Sequence, residues 1–320
     1  MKVIKEDRHF QYGYQKPIRC YYVKKALYPV ANMFYHLLVK AVHKSCSSRE
    51  YKHYLSAVLI FKDEAPFLRE WLEYHLMLGV EHFYLYQNNS TDSYAEVLAP
   101  YQEKTLVTVI DWPEYPGQYS AYKDWYDKYR HESFWVTFID IDEFICPVRE
   151  KSVTSLLNKY EKYPVVLAYW KLFGTGGQMH HDYTRLVIEQ YTSCRPKLYT
   201  EGKIFYNTRF DVADKLISMH GMNTKWKNIN IPPVNTFGKF LIWGFHRVNG
   251  NNDAKMQINH YWSKAFDQWE KKYEKGSIEK GTKWKDYTFF ERLEMECTSQ
   301  DHTIFRFLTK LYLRLLIKER

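Results

Sequence analysis

The sequence predicts an α/β domain built on a doubly wound, mixed sheet, with a helical N-terminal arm before it and helices after it. Three observations predict this. Short apolar runs alternate with segments of helical period from Leu55 to Tyr129. A later run, Phe134–Ile139, is apolar except at Thr137, as in a strand buried on both faces. Polar residues follow four of these runs directly, where the carboxyl edge of an open sheet binds its ligands.

Residues 1–50 form a basic, tyrosine-rich arm with a helix expected from Val30 to Lys44, able to dock on the main domain or touch a membrane. The main domain covers residues 51–276. Its first strand, Leu55–Phe61, leads into Lys62-Asp63-Glu64 and a helix with Pro66 in its first turn. Leu68, Trp71, Leu72, His75 and Leu76 keep the helical period, and Gly79 stops it. A second strand, His82–Tyr86, runs into the polar turn Gln87–Asp92. Helix Tyr94–Tyr101, strand Leu106–Ile110 and helix Ser120–Tyr129 follow, and Phe134–Ile139 is the fourth strand.

Beyond it the pattern gives a helix near Val153–Tyr160 and strands at Val165–Trp170, Lys203–Asn207, Lys215–His220 and Ile258–Trp262, then a helix over Ser263–Tyr273. Gly174, Gly176 and Gly177 suggest a flexible loop that lets a ligand approach the backbone. The adjoining His180 and His181 fit solvated loop residues better than ligands. Lys225–Asn252, rich in Asn, Pro and Gly, reads as loops. Residues 277–320 form a helical basic tail. Within it, Ile304–Arg320 suits either an anionic membrane surface or packing on the domain.

The 320 residues allow one large domain with appendages or two smaller ones. A net charge of +9 implies an anionic partner, but it is spread over both termini without a nucleic-acid motif, so no nucleic acid is expected. The 29 Tyr and 10 Trp suit rings packed on sugar faces, and equally a thick core. Cys20, Cys46, Cys146, Cys194 and Cys297 are scattered, which indicates neither a disulfide framework nor zinc and fits a reducing compartment. No stretch reaches the roughly 18 apolar residues of a bilayer span, and the first residues lack a signal-peptide core. The expectation is a soluble or peripheral protein. Neither Gly-x-Gly-x-x-Gly nor a P-loop is present, against a dinucleotide dehydrogenase or a P-loop kinase.

The chemistry concentrates at Asp140-Ile141-Asp142-Glu143. On an extended backbone, residues two apart share a side, so Asp140 and Asp142 would converge. Converging carboxylates call for a positive charge between them, and Mg²⁺ or Mn²⁺ carrying a polyphosphate suits oxygen ligands. Solvated loop acids are the plainer alternative.

In order, Lys62-Asp63-Glu64, Glu70-Trp71-Leu72-Glu73-Tyr74-His75, Tyr86 to Asp92, Asp140 to Ile145, Phe173 to Gly177, Lys203, His220, His260-Tyr261 and Ser263-Lys264 resemble glycosyltransferases of the GT-A fold, in the family 92 and family 2-like group once called domain of unknown function 23. The resemblance implies inverting transfer of a sugar from a nucleotide-diphosphate donor, a UDP-sugar foremost, to a glycan or lipid-linked acceptor. It points to surface polysaccharide synthesis in the cytoplasm, peripherally at the inner face of a bacterial plasma membrane. It implies Asp140, Asp142 and His260 as metal ligands, the imidazole tilting the preference from Mg²⁺ toward Mn²⁺. Asp140 thereby also reaches the donor diphosphate. Asp63, Glu64, Asn88 and Asp92 are implied to hold the nucleoside, with Gln87 departing from the Asp that relatives carry. Lys203 would neutralise the leaving diphosphate. Asp182, His220 and Glu143 are candidates for the base, and Trp170 and Phe173 for stacking on the acceptor. A non-catalytic protein of the same fold is the rival reading.

Overall fold

A computed structural model describes residues 11–12, 20–45, 49–213, 217–242, 245–246, 255–277, 281 and 286–317. Helix α1 spans Tyr21–Ser45. The expected alternation follows: β1 His53–Phe61, α2 Ala65–Met77, β2 His82–Gln87, α3 Tyr94–Glu103, β3 Val107–Asp111, α4 Gln118–Tyr129 and β4 Ser133–Phe138. Then come β5 Glu143–Pro147, α5 Val153–Leu157, β6 Val165–Leu172, β7 Gly202–Asn207, β8 Val234–Asn235 and β9 Met256–His260. Helices α6 Phe266–Lys275, α7 Tyr287–Glu296 and α8 Leu308–Ile317 complete the described chain.

The main sheet has the order β3-β2-β1-β4-β7-β6-β9-β5, with β8 also paired to β6. Strands β1 to β4 are mutually parallel. Strand β7 runs antiparallel to both β4 and β6, β9 is parallel to β6, and β5 is antiparallel to β9. The doubly wound, mixed α/β sheet predicted from the sequence is therefore present. Leu55 to Phe61 are all buried, as apolar runs packed under helices on both sides require.

This order has a consequence for chemistry. Parallel strands β4, β6 and β9 end at the same edge, while antiparallel β7 and β5 begin there. Gly202, Lys203, Trp170, Leu172, His260 and Glu143 are thus neighbours by register: Lys203 pairs with Ala168, Gly202 with Tyr169, and His260 with both Leu172 and Glu143.

The stretch Phe134–Ile145 is two strands and not one. It leaves the sheet after Phe138, turns through residues 139–142, and re-enters as β5 at the far edge. The Glu143 amide donates to the Asp140 carbonyl (3.1 Å), closing that turn. The argument from alternating sides of an extended strand does not apply to Asp140 and Asp142, because the backbone there is not extended.

Other departures have local causes. Helix α1 starts at Tyr21, ahead of the expected Val30, and runs through Pro29, because Tyr28 and Asn32 on either side of the proline are buried against the domain. Residues 211–212, 224–226 and 229–231 form a small antiparallel sheet, whose part beyond Lys225 falls where loops were expected. Its hairpin turns at Lys227, which adopts φ +55°. Residues 217–220 are not strand, and Lys215 and Leu216 lie outside the described residues, as do Cys46, residues 1–10 of the arm and Lys318 to Arg320. Helix α7 lies within residues 277–320, read from the sequence as a helical tail without bounds for this helix. The C-terminal helix turns its apolar side inward: Ile304, Phe307 and Leu311 are buried, Arg314 pairs with Glu73 at 2.9 Å, and Arg69 donates to the Leu315 carbonyl. Among the described residues, no helix is long and apolar enough to cross a membrane. Cys20, Cys146, Cys194 and Cys297 are free thiols.

Candidate active site

Helix α2 builds the floor of the site. Buried Trp71 donates its indole N–H to two carbonyls at once, those of Asp140 and Glu143, each at 3.1 Å. One helical turn on, His75 donates from Nδ1 to the Trp71 carbonyl (2.8 Å) and accepts the Ile145 amide on Nε2 (3.3 Å), and Tyr74 donates to the Ile145 carbonyl (2.9 Å). Burial pushes the His75 imidazole down to about 3, so it stays in that neutral tautomer. Glu70 accepts the Val187 and Ile188 amides, and Glu73 accepts from Tyr101 and Arg314. The polar residues of Glu70–His75 thus hold the acid turn and its surroundings in place.

Glu143 is the centre of the cluster. It is fully buried; Oε2 accepts the Asp140 amide at 2.9 Å and lies 3.3 Å from Lys203 Nζ, while Oε1 accepts the Trp170 indole N–H at 2.6 Å. Lys203 is itself buried and lies 2.7 Å from Asp140 Oδ2. Although burial alone would lower it, Asp140 and Glu143 raise the Lys203 ammonium above its ordinary range, so it is charged. Burial, with Asp140 and Asp142 nearby, raises the Glu143 carboxyl above the ordinary carboxylate range against the pull of Lys203.

Asp142 has different partners. Lys272 of α6 bonds Oδ2, and His260 Nε2 stands 3.6 Å from Oδ1. Burial opposes ionisation of Asp142, but Lys272 and His260 outweigh it and hold the carboxyl well below its usual range. As arranged, no three His, Cys, Asp or Glu side chains among the described residues are grouped to hold a metal ion. Asp140 is engaged with Lys203. Asp142 and His260 do fit a divalent ion as a pair. Donors each about 2.1 Å from one ion lie within about 4 Å of each other, a separation that Asp142 Oδ1 and His260 Nε2 meet at 3.6 Å; the other ring nitrogen, Nδ1, lies 3.8 Å from Glu143 Oε1 without a hydrogen bond. In this structure the Lys272 ammonium supplies the positive charge beside them.

His220 donates from Nδ1 to the Gly202 carbonyl at 2.9 Å, which leaves Nε2 as a lone-pair acceptor. Burial and then Lys203 push it down to about 4, so it is neutral at pH 7. The Trp170 indole lies between the two imidazoles, its centroid 4.9 Å from His220 and 4.8 Å from His260. Asp182 is not part of this cluster. Its exposed carboxylate accepts from the amide and hydroxyl of Thr184 in its own turn.

The expected nucleoside residues gather at the ends of β1 and β2, where they knit two loops together. Asp63 accepts from the amide and hydroxyl of Thr91, Asp92 from the Ala65 amide, and Gln87 from the Ser90 amide while donating to Asp111. Asn88 donates to the carbonyls of Trp112 (2.6 Å) and Glu114 (2.8 Å), yet its buried Oδ1 has no partner. Lys275 ties Glu64 (3.3 Å) to the Lys62 and Asp63 carbonyls.

Two expectations fail for packing reasons. The glycine loop is occupied by the protein's own carboxylate: Glu294 of α7 accepts from the Thr175 amide and hydroxyl, and a Cβ at Gly174 would stand 2.6 Å from it. Phe173 is buried against Tyr261 and cannot stack on an acceptor. Of the paired histidines, His180 is exposed, while His181 is buried and bonded to Tyr191.

Sequence reasoning gave no role to Lys264 and Lys275, though both fall in the stretch that carries the resemblance, and passed over Lys272. The last two sit three apart on one helix that follows His260, a spacing that puts both on one face. Lys264 is buried over the Phe67 ring at 3.9 Å, and burial lowers its pKa.

The profile of glycosyltransferase family 92 matches residues 57–288, more than half of the chain. A family 92 protein of Ricinus communis is 31% identical over 229 residues, covering 70% of this chain and 38% of its own length. A family 92 protein of Oryza sativa subsp. japonica is 32% identical over 117 residues, 36% of this chain and 20% of its own. A galactan beta-1,4-galactosyltransferase of Arabidopsis thaliana is 34% identical over 106 residues, 30% of this chain and 20% of its own. The chain thus spans well under half the length of these curated relatives. The solved structure of TarS from S. aureus aligns at a TM-score of 0.35 with 16% identity, over 48% of this chain and 47% of that one. A likeness of that size adds nothing to the assignment. On the match over residues 57–288, the chain belongs to glycosyltransferase family 92.

Proposed function

We propose that this protein is a glycosyltransferase that moves a sugar, with inversion, from a nucleotide-diphosphate donor, a UDP-sugar, to a glycan or lipid-linked acceptor. The observation that carries the reading is the acid turn Asp140–Glu143, with Asp142 and Glu143 buried and Asp140 one-third exposed, flanked by His260, His220 and lysines at the ligand-binding edge of the sheet, in a family 92 chain. Relatives named as galactan beta-1,4-galactosyltransferases support hexosyl transfer.

Asp142 and His260 are the residues that would hold a divalent ion, Mn²⁺ before Mg²⁺. Such an ion, when bound, supplies positive charge to a leaving diphosphate. The chain's own groups do the rest. Lys203 keeps Asp140 and Glu143 compensated while the site is buried, and its fixed ammonium favours charge developing on the diphosphate. Lys272, which pairs with Asp142 here, would be free to meet phosphate oxygens were Asp142 engaged elsewhere. His220 takes the proton of the acceptor hydroxyl on Nε2, since its Nδ1–H is fixed on Gly202 and its lowered pKa keeps it unprotonated. Glu143 is a positioning residue, both its oxygens being engaged. The orphaned Oδ1 of Asn88 accepts an N–H of the base.

The test is a transfer assay with Asp142→Asn alongside thermal-shift titration of nucleoside diphosphates with Mn²⁺. The variant should keep the fold, lose Mn²⁺-dependent stabilisation by UDP and drop transfer by about a thousandfold, in the range of removing a directed charge at the reacting centre. Full activity of Asp142→Asn in metal-free buffer would refute it.

A further inference from the structure

Helix α1 presents an apolar stripe that the domain does not cover. Val23, Leu27, Val30, Phe34 and Leu37 are each more than half exposed. Their spacing of four, three, four and three residues places them on one side of the helix. The opposite side is docked: Tyr28, Tyr35, Val39 and Val42 are buried, Tyr28 donates to the Phe240 carbonyl (2.6 Å), and Tyr35 donates to that of Pro232 (2.7 Å). The exposed stripe is therefore not a loose end of the core. A contiguous apolar face of this kind marks a contact surface.

The charge around it selects the occupant. Helix α1 holds Lys24, Lys25, Lys40 and Lys44 and no acidic residue in 25 positions. A second copy would bring the same sign against itself. At its C-terminal end, Ser45 lines a cavity of about 280 Å³ with Arg49, Arg130, His131, Arg209 and Lys227. Asp211 pairs with Arg130 at 2.7 Å, Arg209 donates to the Glu161 carbonyl, and Lys227 lies 4.5 Å over the Trp226 ring, so the cavity keeps net positive charge. An apolar stripe bordered by lysines and ending at a cationic cavity is the combination that an anionic lipid surface satisfies: the stripe enters the acyl boundary and the cavity receives a phosphate headgroup.

We propose that α1 and the cavity at its end seat this protein on an anionic membrane surface, with α1 in the interfacial plane. The seat is independent of the transfer reaction.

Co-sedimentation with vesicles tests it, using the whole chain. The protein should pellet with an equal mixture of phosphatidylcholine and phosphatidylglycerol and not with phosphatidylcholine alone, and raised salt should release it. Two double variants, each checked for unchanged circular dichroism, separate the parts. Leu27→Ser with Phe34→Ser, and Arg49→Glu with Lys227→Glu, should each weaken binding to the mixed vesicles by about tenfold or more. Failure of the wild type to bind the mixed vesicles, equal binding to both compositions, or unchanged binding by either double variant overturns the proposal. So does a wild-type dimer that Phe34→Ser converts to a monomer with no vesicle binding by either, which assigns the stripe to a second copy. Saturation of the cavity by glycerophosphate without any vesicle binding also overturns it.

Discussion

Replacing Lys203 by Met tests the electrostatic core of the site without reference to any substrate. Lys203 and Glu143 are both fully buried and 3.3 Å apart, and Lys203 is 2.7 Å from Asp140, whose side chain is one-third exposed. Met has nearly the same length, so the change removes the charge and leaves the volume. Breaking a buried ion pair from one side costs about 3–5 kcal/mol. Asp140 can turn to solvent, so the loss falls on Glu143, and a value near 4 kcal/mol is expected, or roughly 8 °C in melting temperature for a chain of this size. The pH dependence carries the stronger test. Without Lys203 the folded-state pKa of Glu143 rises further above the unfolded value, so the folded state binds a proton that the unfolded state has released. Because wild-type Glu143 is itself held up at about 8, both folded forms keep the proton below that value, so the deficit is smallest in acid and grows once the pH rises past about 8. Adding Glu143→Gln to the Lys203→Met background removes the titrating group and should recover about half of the loss. The assay is urea or thermal unfolding near pH 4 and near pH 9.5 for the wild type, both single variants and the double. A deficit equal at both pH values, or losses that add in the double variant, would show that the pair is not the electrostatic unit described.

Three further outcomes are expected. Trp71→Phe deletes the N–H shared by the Asp140 and Glu143 carbonyls and leaves a small void, for a loss of about 2 kcal/mol; transfer should fall at least tenfold with little change in donor KM, and unchanged transfer would detach α2 from the positioning of the acid turn. The rate-pH profile should hold its plateau below the ordinary histidine pKa and decline only toward about pH 4, because His220 stays unprotonated until then; a decline near pH 6.5 would remove His220 as the base. Lys272→Ala should tighten Mn²⁺ binding severalfold by calorimetry, since it clears the ammonium from Asp142, while slowing transfer about tenfold; weaker Mn²⁺ binding would contradict exchange between the two cations.

Much of this architecture was legible in advance, because strands β1 to β4 and helices α2 to α4 follow strict hydrophobic periods with turn residues between them. The acid turn stood out for the same reason: Asp140, Asp142 and Glu143 follow a strand that is apolar except at Thr137. What the linear pattern could not give was where the chain goes next. Ile141, Phe144 and Ile145 continue the apolar run, so nothing local announces that β4 ends at Phe138 and that β5 lies four strands away. Periodicity is equally silent on partners. Glu143 looked like a candidate base, and only the arrival of Trp170, Lys203 and the Asp140 amide shows both its oxygens engaged. Gly174 was read as room for a ligand because glycine permits close approach. The group that approaches, Glu294, lies 120 positions along, in a tail read as helical but with nothing local to say that it packs on this loop. The lysines of α6 went unread because a helical lysine is ordinarily a solvated one.

The distribution of the site over the ends of β4, β5, β6, β7 and β9 limits how it can change. Because alternate residues of a strand face opposite ways, deleting one residue inside β7 or β9 would carry Lys203 or His260 to the reverse side of the sheet, and no adjustment of the neighbouring loops could bring it back. Between these strands the restraint is looser wherever β8, His220 and the Glu70-bound amides of Val187 and Ile188 are not involved: length gained or lost in residues 241–255 alters the register of no pair at the edge. Diversification within this lineage should therefore be recorded as insertions and deletions between strands, with the lengths of the five strands themselves unchanged.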